Sequence, residues 1–110
     1  MDTKLLAAKW RAIGFFGEDV EQMEHLIMSG ADINMRQEPD LWTALHFVVW
    51  RCRFDLSGIS AVELLLRHKA DPHLQTHLHK TPLDVGMIAL HPIPRLLDAD
   101  IVSLLKFAMA

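Results

Sequence analysis

The residues best suited to chemistry in this chain are histidines that cluster in one polar segment. His73, His77 and His79 lie close together in the sequence, and His68 comes shortly before them. Neutral imidazole is a common metal ligand, and a His-x-His pair places two rings on one side of an extended backbone. Zinc sites, however, need three or four nitrogen or sulfur ligands, and this spacing matches no zinc motif. We therefore predict no metal or cofactor and interpret the segment as a polar surface that can contact a partner.

Nucleophilic or acid–base catalysis is the second chemistry that the residue types suggest. The sequence contains no Gly-rich phosphate loop, GxSxG or HExxH motif. Arg51 and Arg53 flank Cys52 and would activate its thiol if they approached it, but a nucleophilic cysteine also needs a positioned base. Asp98 and Asp100 resemble an acid pair, yet a helix N-cap and a first-turn acid explain them better. We predict no catalytic residue and no enzymatic activity; a thiol or metal enzyme is the competing hypothesis.

Composition is typical of a globular protein. The chain has 110 residues, 51% of them hydrophobic, which indicates a single domain that can bury a core. No apolar run approaches the ~18 residues that span a membrane, and the apolar stretch near the N-terminus is too short for a signal peptide. A single cysteine favours a cytoplasmic protein, and a net charge of −3 argues against nucleic acid as the partner.

Charge is unevenly distributed along the sequence. Between residues 17 and 40 a single Arg36 stands among seven acids, which are Glu18, Asp19, Glu21, Glu24, Asp32, Glu38 and Asp40. Such a stretch is either a solvated surface or a field that steers a basic partner, because clustered charge raises association rates. The sequence leaves both interpretations open.

The elements that must position these residues are organised around the segment from Ala61 to Asp84. Its first part spaces Leu64-Leu65-Leu66 for one face of a helix. Asp71-Pro72 then ends the helix, because proline has no N–H and disfavours helical geometry in the residue before it. After a polar run, Thr81-Pro82 opens a new helix, since threonine is an N-cap residue and proline suits the first turn.

This pattern resembles the junction between two ankyrin repeats, where LLL-xx-GAD-x-N is followed by a hairpin finger and then by TPLH. The matching residues are Leu64-Leu65-Leu66, Ala70-Asp71 and Thr81-Pro82-Leu83. The chain departs from the family at three positions: Lys69 replaces Gly, His73 replaces Asn, and Asp84 replaces His. Upstream, Ser29 to Asn34 (SGADIN) and Thr43 to His46 (TALH) repeat the same order, and the two TPLH-like starts lie 38 residues apart, from 43 to 81.

The resemblance implies an all-α ankyrin-repeat solenoid of three helix-pair repeats with short hairpin fingers. We predict a single ankyrin repeat domain over residues 1–110, with repeats at about 1–34, 35–73 and 74–110 and the outer repeats acting as caps. Insertions at 52–58 and 91–97 separate the two helices of repeats two and three. The fingers run from Met35 to Trp42 and from Leu74 to Lys80. The predicted helices are Thr3–Phe16, Asp19–Met28, one that opens at Thr43, Ile59–His68, Thr81–Leu90, and a last one with Ile101, Val102, Leu104, Leu105 and Phe107 inside.

In the ankyrin family, the residues that contact partners are the one before TPLH and two late in the inner helix. The histidine of TPLH, which is His46 here, has a structural role. The resemblance assigns Trp42, Trp50 and Arg51 to these positions in repeat two, and Lys80, Ile88 and Ala89 in repeat three. Phe16, by a looser register, would join Trp50 and Ile88 in an apolar row on the concave face, unless Trp50 is local core. The predicted partner-binding residues are Arg36, Gln37, Asp40, Trp42, Trp50, Arg51, His77, His79, Lys80 and Ile88.

The function that the resemblance implies is non-catalytic binding of a partner protein through the fingers and the concave face. Two alternatives use the same surface: an inhibitor or immunity-type protein that occludes a toxin or enzyme, and an effector that engages a host protein. Less favoured are a metal-binding protein with a His-rich finger and self-association through the aromatic row. We expect a cytoplasmic monomer whose partner is neither nucleic acid nor membrane.

Overall fold

The computed structural model describes residues 20–30, 32–36, 38–53, 59–87 and 99–110. The helices in these ranges are α1 (Val20–Met28), α2 (Ala44–Cys52), α3 (Ile59–Arg67), α4 (Pro82–Met87) and α5 (Ala99–Met109). The predicted all-α fold is confirmed. The predicted helix from Thr3 to Phe16, the insertion at 91–97 and residues 54–58 of the other insertion lie outside the described residues.

The described helices pack in two layers. In one layer α2 contacts α4, and in the other α3 contacts both α1 and α5. Each layer also packs on the other, because α2 contacts α3 and α4 contacts α5. This is the stacking that the sequence predicts, in which neighbouring helix pairs bury the apolar faces that a single pair cannot bury alone.

The apolar core lies between these layers. Its members follow helical spacing, and they include Met23, Leu26, Leu45, Val48, Val49, Val62, Leu64, Leu65, Ile101 and Leu105. Burying one such side chain stabilises the fold by about 1.5–3 kcal/mol. No helix within the described ranges is long and apolar enough to cross a membrane.

Phe107 corrects one prediction about the core. We predict it inside, but its side chain is 83% exposed. Ile101 and Leu105, four residues apart, form the buried face of α5. Phe107 follows Leu105 by two residues, which is about 200° around a helix and turns its side chain away from that face.

The N-termini of α2 and α4 are capped in the same way, although their sequences differ. The Thr43 hydroxyl accepts from the His46 N–H at 3.4 Å, while the His46 Nδ1 accepts from the Thr43 N–H at 3.1 Å. At α4, the Thr81 hydroxyl accepts from the Asp84 N–H at 3.2 Å and the Asp84 carboxylate accepts from the Thr81 N–H at 3.0 Å. Both are capping boxes. Asp84 therefore takes over the capping role of the family's histidine.

These caps and the other helix ends shift several predicted boundaries. Thr43 and Thr81 precede their helices instead of opening them, and α3 ends at Arg67 instead of His68. Because α5 begins at Ala99, Asp100 lies in its first turn and is not the N-cap. Asp98 lies outside the described residues.

Two helices are followed by a residue with left-handed backbone. Gly30 after α1 has a φ of 95°, and Lys69 after α3 has a φ of 73°. The Lys69 N–H donates to the Leu66 carbonyl at 3.1 Å, and the Ala70 N–H donates to the Leu65 carbonyl at 2.9 Å. This is a Schellman motif, in which glycine is the usual residue because a Cβ atom destabilises the left-handed conformation. Lys69 occupies the family's glycine position at that cost.

Lys69→Gly and Gly30→Ala are expected to change stability in opposite directions. Lys69→Gly relieves the left-handed strain and should raise the free energy of unfolding by about 1 kcal/mol. Gly30→Ala should lower it by about 1 kcal/mol. No atom lies within 4 Å of the added Cβ at Gly30, so backbone strain is the main cost. Urea unfolding measures both, and a shift of the same sign in the two variants would contradict this account.

Candidate functional site: two fingers and an aromatic cluster

Thr76 holds the second finger in one shape. Its side chain is 4% exposed, and its hydroxyl accepts from the N–H groups of Leu78 at 3.2 Å and Lys80 at 3.3 Å. Its N–H donates to the Lys80 carbonyl, and its carbonyl accepts from the His79 N–H, both at 2.9 Å. These four hydrogen bonds to a single residue fix the backbone of the tip.

The two fingers lie side by side and are joined by hydrogen bonds. The Asp40 carbonyl accepts from the His77 N–H at 2.9 Å and from the His77 ring Nδ1 at 3.2 Å. The Arg36 guanidinium donates to the Gln75 carbonyl, which brings a cation from the first finger onto the second. The Asp40 carboxylate accepts from the Trp42 N–H at 3.1 Å. Residues predicted as contacts from both fingers are therefore neighbours.

The bases of the two fingers repeat one turn. The Asp32 carboxylate accepts from the Asn34 N–H at 2.9 Å, and the Asp71 carboxylate accepts from the His73 N–H at 2.8 Å. The Asn34 side-chain oxygen also accepts from the Asp71 N–H at 2.8 Å. The turn depends on a backbone N–H at its last position, so His73 can replace the family's asparagine there.

His46 connects α2 to the end of the second finger. The residue is 0% exposed, and its Nε2 lies 2.9 Å from the Lys80 carbonyl, to which it donates. Its Nδ1 accepts from the Thr43 N–H at 3.1 Å and lies 2.8 Å from the Thr43 hydroxyl. A ring that accepts at Nδ1 and donates at Nε2 is the neutral Nε2–H tautomer. The predicted structural role of His46 is confirmed.

The stability of the fold is expected to depend on the charge of His46. Burial lowers the pKa of His46 below its ordinary value of 6.5, against a smaller opposing effect of the Lys80 carbonyl. The folded state therefore binds fewer protons than the unfolded state, so stability is lost as the pH falls below about 6.5. Urea unfolding should give wild type a higher free energy of unfolding than His46→Ala. This difference should shrink as the pH falls from about 7.5 to about 5. A difference in the free energy of unfolding that stays constant over this pH range would contradict the neutral state assigned to His46.

Trp42 and Trp50 form an aromatic cluster with Phe47 at the base of the fingers. The two indole centroids lie 6.2 Å apart with an interplanar angle of 77°, an edge-to-face contact. The Trp42 ring also lies 5.0 Å from the ring of Phe47, which is buried, whereas both tryptophans are half-buried. The Arg53 guanidinium lies 5.0 Å from the centre of the Trp50 ring. Trp50 therefore packs on its neighbours and still presents part of its surface.

The comparison with known proteins agrees with this geometry. A family model of the ankyrin repeat matches residues 40–77, from the first finger through α2 and α3 into the second finger. The chain is also 38% identical over 77 residues to mouse Ankyrin repeat and SOCS box protein 6. Residues 40–77 of this chain are an ankyrin repeat. Ankyrin repeats are generally protein–protein interaction modules, and the family is generally non-catalytic.

Two further relatives are much longer than this ankyrin-repeat chain. It is 42% identical over 72 residues to human 2-5A-dependent ribonuclease and 37% identical over 70 residues to the mouse protein of that name. The three matches take in 64–66% of the chain, but only 9% of each ribonuclease and 17% of Ankyrin repeat and SOCS box protein 6. The activity in the ribonucleases' name is that of the whole proteins.

The predicted contact residues of this ankyrin-repeat chain fall into three groups. The exposed ones are Arg36, His77, His79 and Lys80, and the half-buried ones are Asp40, Trp42, Trp50 and Arg51. Gln37 and Ile88 lie outside the described residues, as does Phe16. The apolar row of Phe16, Trp50 and Ile88 therefore stays a prediction. The structure does describe ring contacts of Trp42 with Trp50 and with Phe47.

Two residues of the second finger are missing from the prediction. Leu78 is 64% exposed at the tip, and Thr76 is buried. The sequence does carry a signal for Leu78, because an apolar residue between two histidines in a polar hairpin has no core to enter. Thr76 carries no comparable signal, since its burial follows from the turn that its own hydroxyl forms.

The structure describes the residues that the metal and thiol hypotheses invoke. Within the described ranges, no group of three or more His, Cys, Asp or Glu residues could hold a metal ion. Cys52 is 0% exposed and belongs to the core, so its thiol cannot reach a substrate in this state. The guanidinium of Arg53, which follows Cys52 in the sequence, donates to the Val85 carbonyl at 3.1 Å.

Thr76→Val is expected to loosen the second finger, whereas Thr76→Ser should preserve it. Valine keeps the shape of threonine but removes the oxygen that accepts from the Leu78 and Lys80 N–H groups. The amide hydrogens of these two residues should exchange about fivefold faster in Thr76→Val, since each lost hydrogen bond contributes about 1 kcal/mol. Exchange that is equal in the valine and serine variants would contradict the role of the hydroxyl.

Proposed function

We propose that this chain binds a partner protein, without catalysis, through the two fingers and the aromatic cluster at their base. The observation that carries the proposal is the edge-to-face pair of Trp42 and Trp50, half-buried beside exposed finger residues. Tryptophan and arginine are enriched among the residues that dominate binding energy, where an apolar centre is surrounded by polar groups. Fingers held by internal hydrogen bonds also lose less conformational entropy on binding.

The proposed contact surface combines both fingers with the exposed part of α2. Its members are Arg36, Asp40, Trp42, Trp50, Arg51, His77, Leu78, His79 and Lys80, with Gln37 and Ile88 added from the sequence register. We also propose that the chain is a cytoplasmic monomer and that its partner is neither nucleic acid nor a membrane. The proposed repeats lie at about 1–34, 35–73 and 74–110. The outer helices α1, α3 and α5 form the opposite layer and serve as the scaffold.

Affinity capture from the native cell tests this surface. Wild type is compared with the double variant Leu78→Ser, Lys80→Glu, whose residues are exposed on the second finger. The matched control is Phe107→Ser, because Phe107 is an exposed apolar residue on α5. Circular dichroism verifies that all three proteins are folded.

The expected result is a partner that wild type and Phe107→Ser both retain and that the finger variant loses. Removing a central apolar and a charged contact should weaken binding by about tenfold or more. A partner that the finger variant retains and Phe107→Ser loses would place the site on the outer helices and contradict the proposal.

A further inference from the structure

Both fingers hold a non-glycine residue in left-handed backbone, and they do so at the same position. Leu41 has a φ of 60°, and His79 has a φ of 61°. Each lies two residues before the threonine that caps the next helix, which is Thr43 or Thr81. A Cβ atom makes this conformation unfavourable, and for a bulky side chain such as leucine it is a genuine exception. Its repetition indicates that the shape of the fingers requires it.

The turn of the second finger shows where the requirement comes from. The Thr76 carbonyl accepts from the His79 N–H, and the Thr76 N–H donates to the Lys80 carbonyl, both at 2.9 Å. A hairpin loop closed by this pair of hydrogen bonds has a left-handed residue at its last position, where glycine is preferred. Any other residue there lowers the stability of the turn and adds a side chain.

The side chain of Leu41 does not serve the core. Among the described residues, the half-buried apolar side chains that pack on the core include Met35 of the same finger but not Leu41, which is also half-buried. Core packing therefore does not offset the backbone strain at Leu41. Strained residues that are not needed for packing concentrate at functional sites.

Leu41 lies within the proposed contact surface. The next residue is Trp42 of the aromatic cluster. The Asp40 carbonyl, immediately before Leu41, accepts from the His77 N–H at 2.9 Å, and Leu78 immediately follows His77. Leu78 is 64% exposed. The backbones of the two tips therefore meet next to Leu41 and Leu78, and three partly exposed apolar residues lie along this line.

Charge does not define what binds at the two tips. Two cations, Arg36 and Lys80, lie among three acids, which are Glu38, Asp40 and Asp84. Neither sign dominates, so long-range attraction favours neither an acidic nor a basic segment. The exposed apolar side chains are the distinguishing feature of this surface.

We propose that Leu41 is a further partner-contacting residue, whose side chain packs on an apolar side chain of the partner protein beside Trp42 and Leu78. This contact is the reason for a leucine where the backbone favours glycine. The inference rests on the proposed function and adds to it a residue that is absent from the predicted contacts. His79 is the counterpart of Leu41 on the second finger.

Substitutions at two left-handed residues test the inference. Leu41→Gly removes the side chain and relieves the strain, whereas Leu41→Ala removes most of the side chain and keeps the strain. Lys69→Gly is the matched control, because Lys69 is also left-handed but lies outside both fingers. The urea midpoint of each protein is measured, together with its affinity for the purified partner that wild type captures.

We expect Leu41→Gly and Leu41→Ala each to weaken binding by about fivefold or more, and Lys69→Gly to leave it unchanged. The loss in Leu41→Ala should be equal at about 0.1 M and about 0.5 M salt, because an apolar contact is not screened. The urea midpoint of Leu41→Gly should equal or exceed that of wild type.

Three results would overturn the inference. If Leu41→Ala binds with full affinity, any loss in Leu41→Gly comes from a more flexible finger and the leucine side chain makes no contact. If the loss in Leu41→Ala disappears at high salt, the contact is not apolar. If Leu41→Gly unfolds at a lower urea concentration than wild type, the leucine serves the fold instead of the partner.

The capture experiment separates this inference from the proposed function. If the captured partner depends on Leu78 and Lys80 but not on Leu41, the role of Leu41 is wrong and the finger surface stands. If the captured partner is indifferent to Leu78 and Lys80, or if wild type captures none, the proposed function is wrong and the role of Leu41 falls with it.

Discussion

His46→Ala is expected to lower the free energy of unfolding by about 3 kcal/mol. The substitution leaves the buried Thr43 N–H and the Lys80 carbonyl without the imidazole atoms that they contact. Each polar group left unsatisfied costs about 1–3 kcal/mol. Urea unfolding at about pH 7.5, where wild-type His46 is neutral, measures the full effect.

His73→Ala is the control for this prediction. His73 lies immediately before the second finger and its side chain is exposed, so its removal should change stability by less than about 0.5 kcal/mol. If His46→Ala and His73→Ala lowered the free energy of unfolding equally, His46 would not be the residue that holds α2 against the second finger.

Arg53→Met is expected to lower the free energy of unfolding by about 2–3 kcal/mol. The residue is 1% exposed, its guanidinium donates to the Val85 carbonyl at 3.1 Å, and it lies 5.0 Å from the centre of the Trp50 ring. Val85 lies in α4, so this contact joins the end of α2 to α4. Methionine fills much of the same volume but supplies neither the hydrogen bond nor the charge. Thermal or urea unfolding measures the loss.

Arg67→Met is the control for Arg53, because Arg67 is exposed at the end of α3. We expect a change of less than about 0.5 kcal/mol there. Replacement of a buried charged group by an apolar one is sometimes neutral, because the charge no longer has to be desolvated. A neutral Arg53→Met would show that this desolvation cost cancels the gain from the contact, and it would contradict a net stabilising role for Arg53 between α2 and α4.

The parts of the fold that the sequence predicts are those encoded by short motifs. Thr43 and Thr81 precede helices because a hydroxyl at the N-cap satisfies backbone N–H groups, which is a local effect. Lys69 falls in the left-handed position because the register of the repeat places it after α3. The repeat pattern therefore gives the helices and their order, and the boundaries are wrong by about one residue where a cap sits outside its helix.

The features that the sequence did not predict depend on how side chains meet in three dimensions. Phe107 is exposed because its angle around α5 differs from that of Ile101 and Leu105, although all three are apolar. The contact between Trp42 and Trp50 requires the finger base to lie beside α2. The exposure of Leu78 and the burial of Thr76 follow from one turn, whose shape is fixed by hydrogen bonds that residue type alone does not specify.

Hydrogen–deuterium exchange of the chain, alone and with its captured partner, tests whether the partner contacts the fingers and the aromatic cluster. We expect slower exchange in residues 35–42 and 74–80 and at the exposed end of α2 when the partner is bound, with exchange in α3 and α5 unchanged. Protection confined to α3 and α5, with both fingers unaffected, would contradict the account and place the partner on the outer layer.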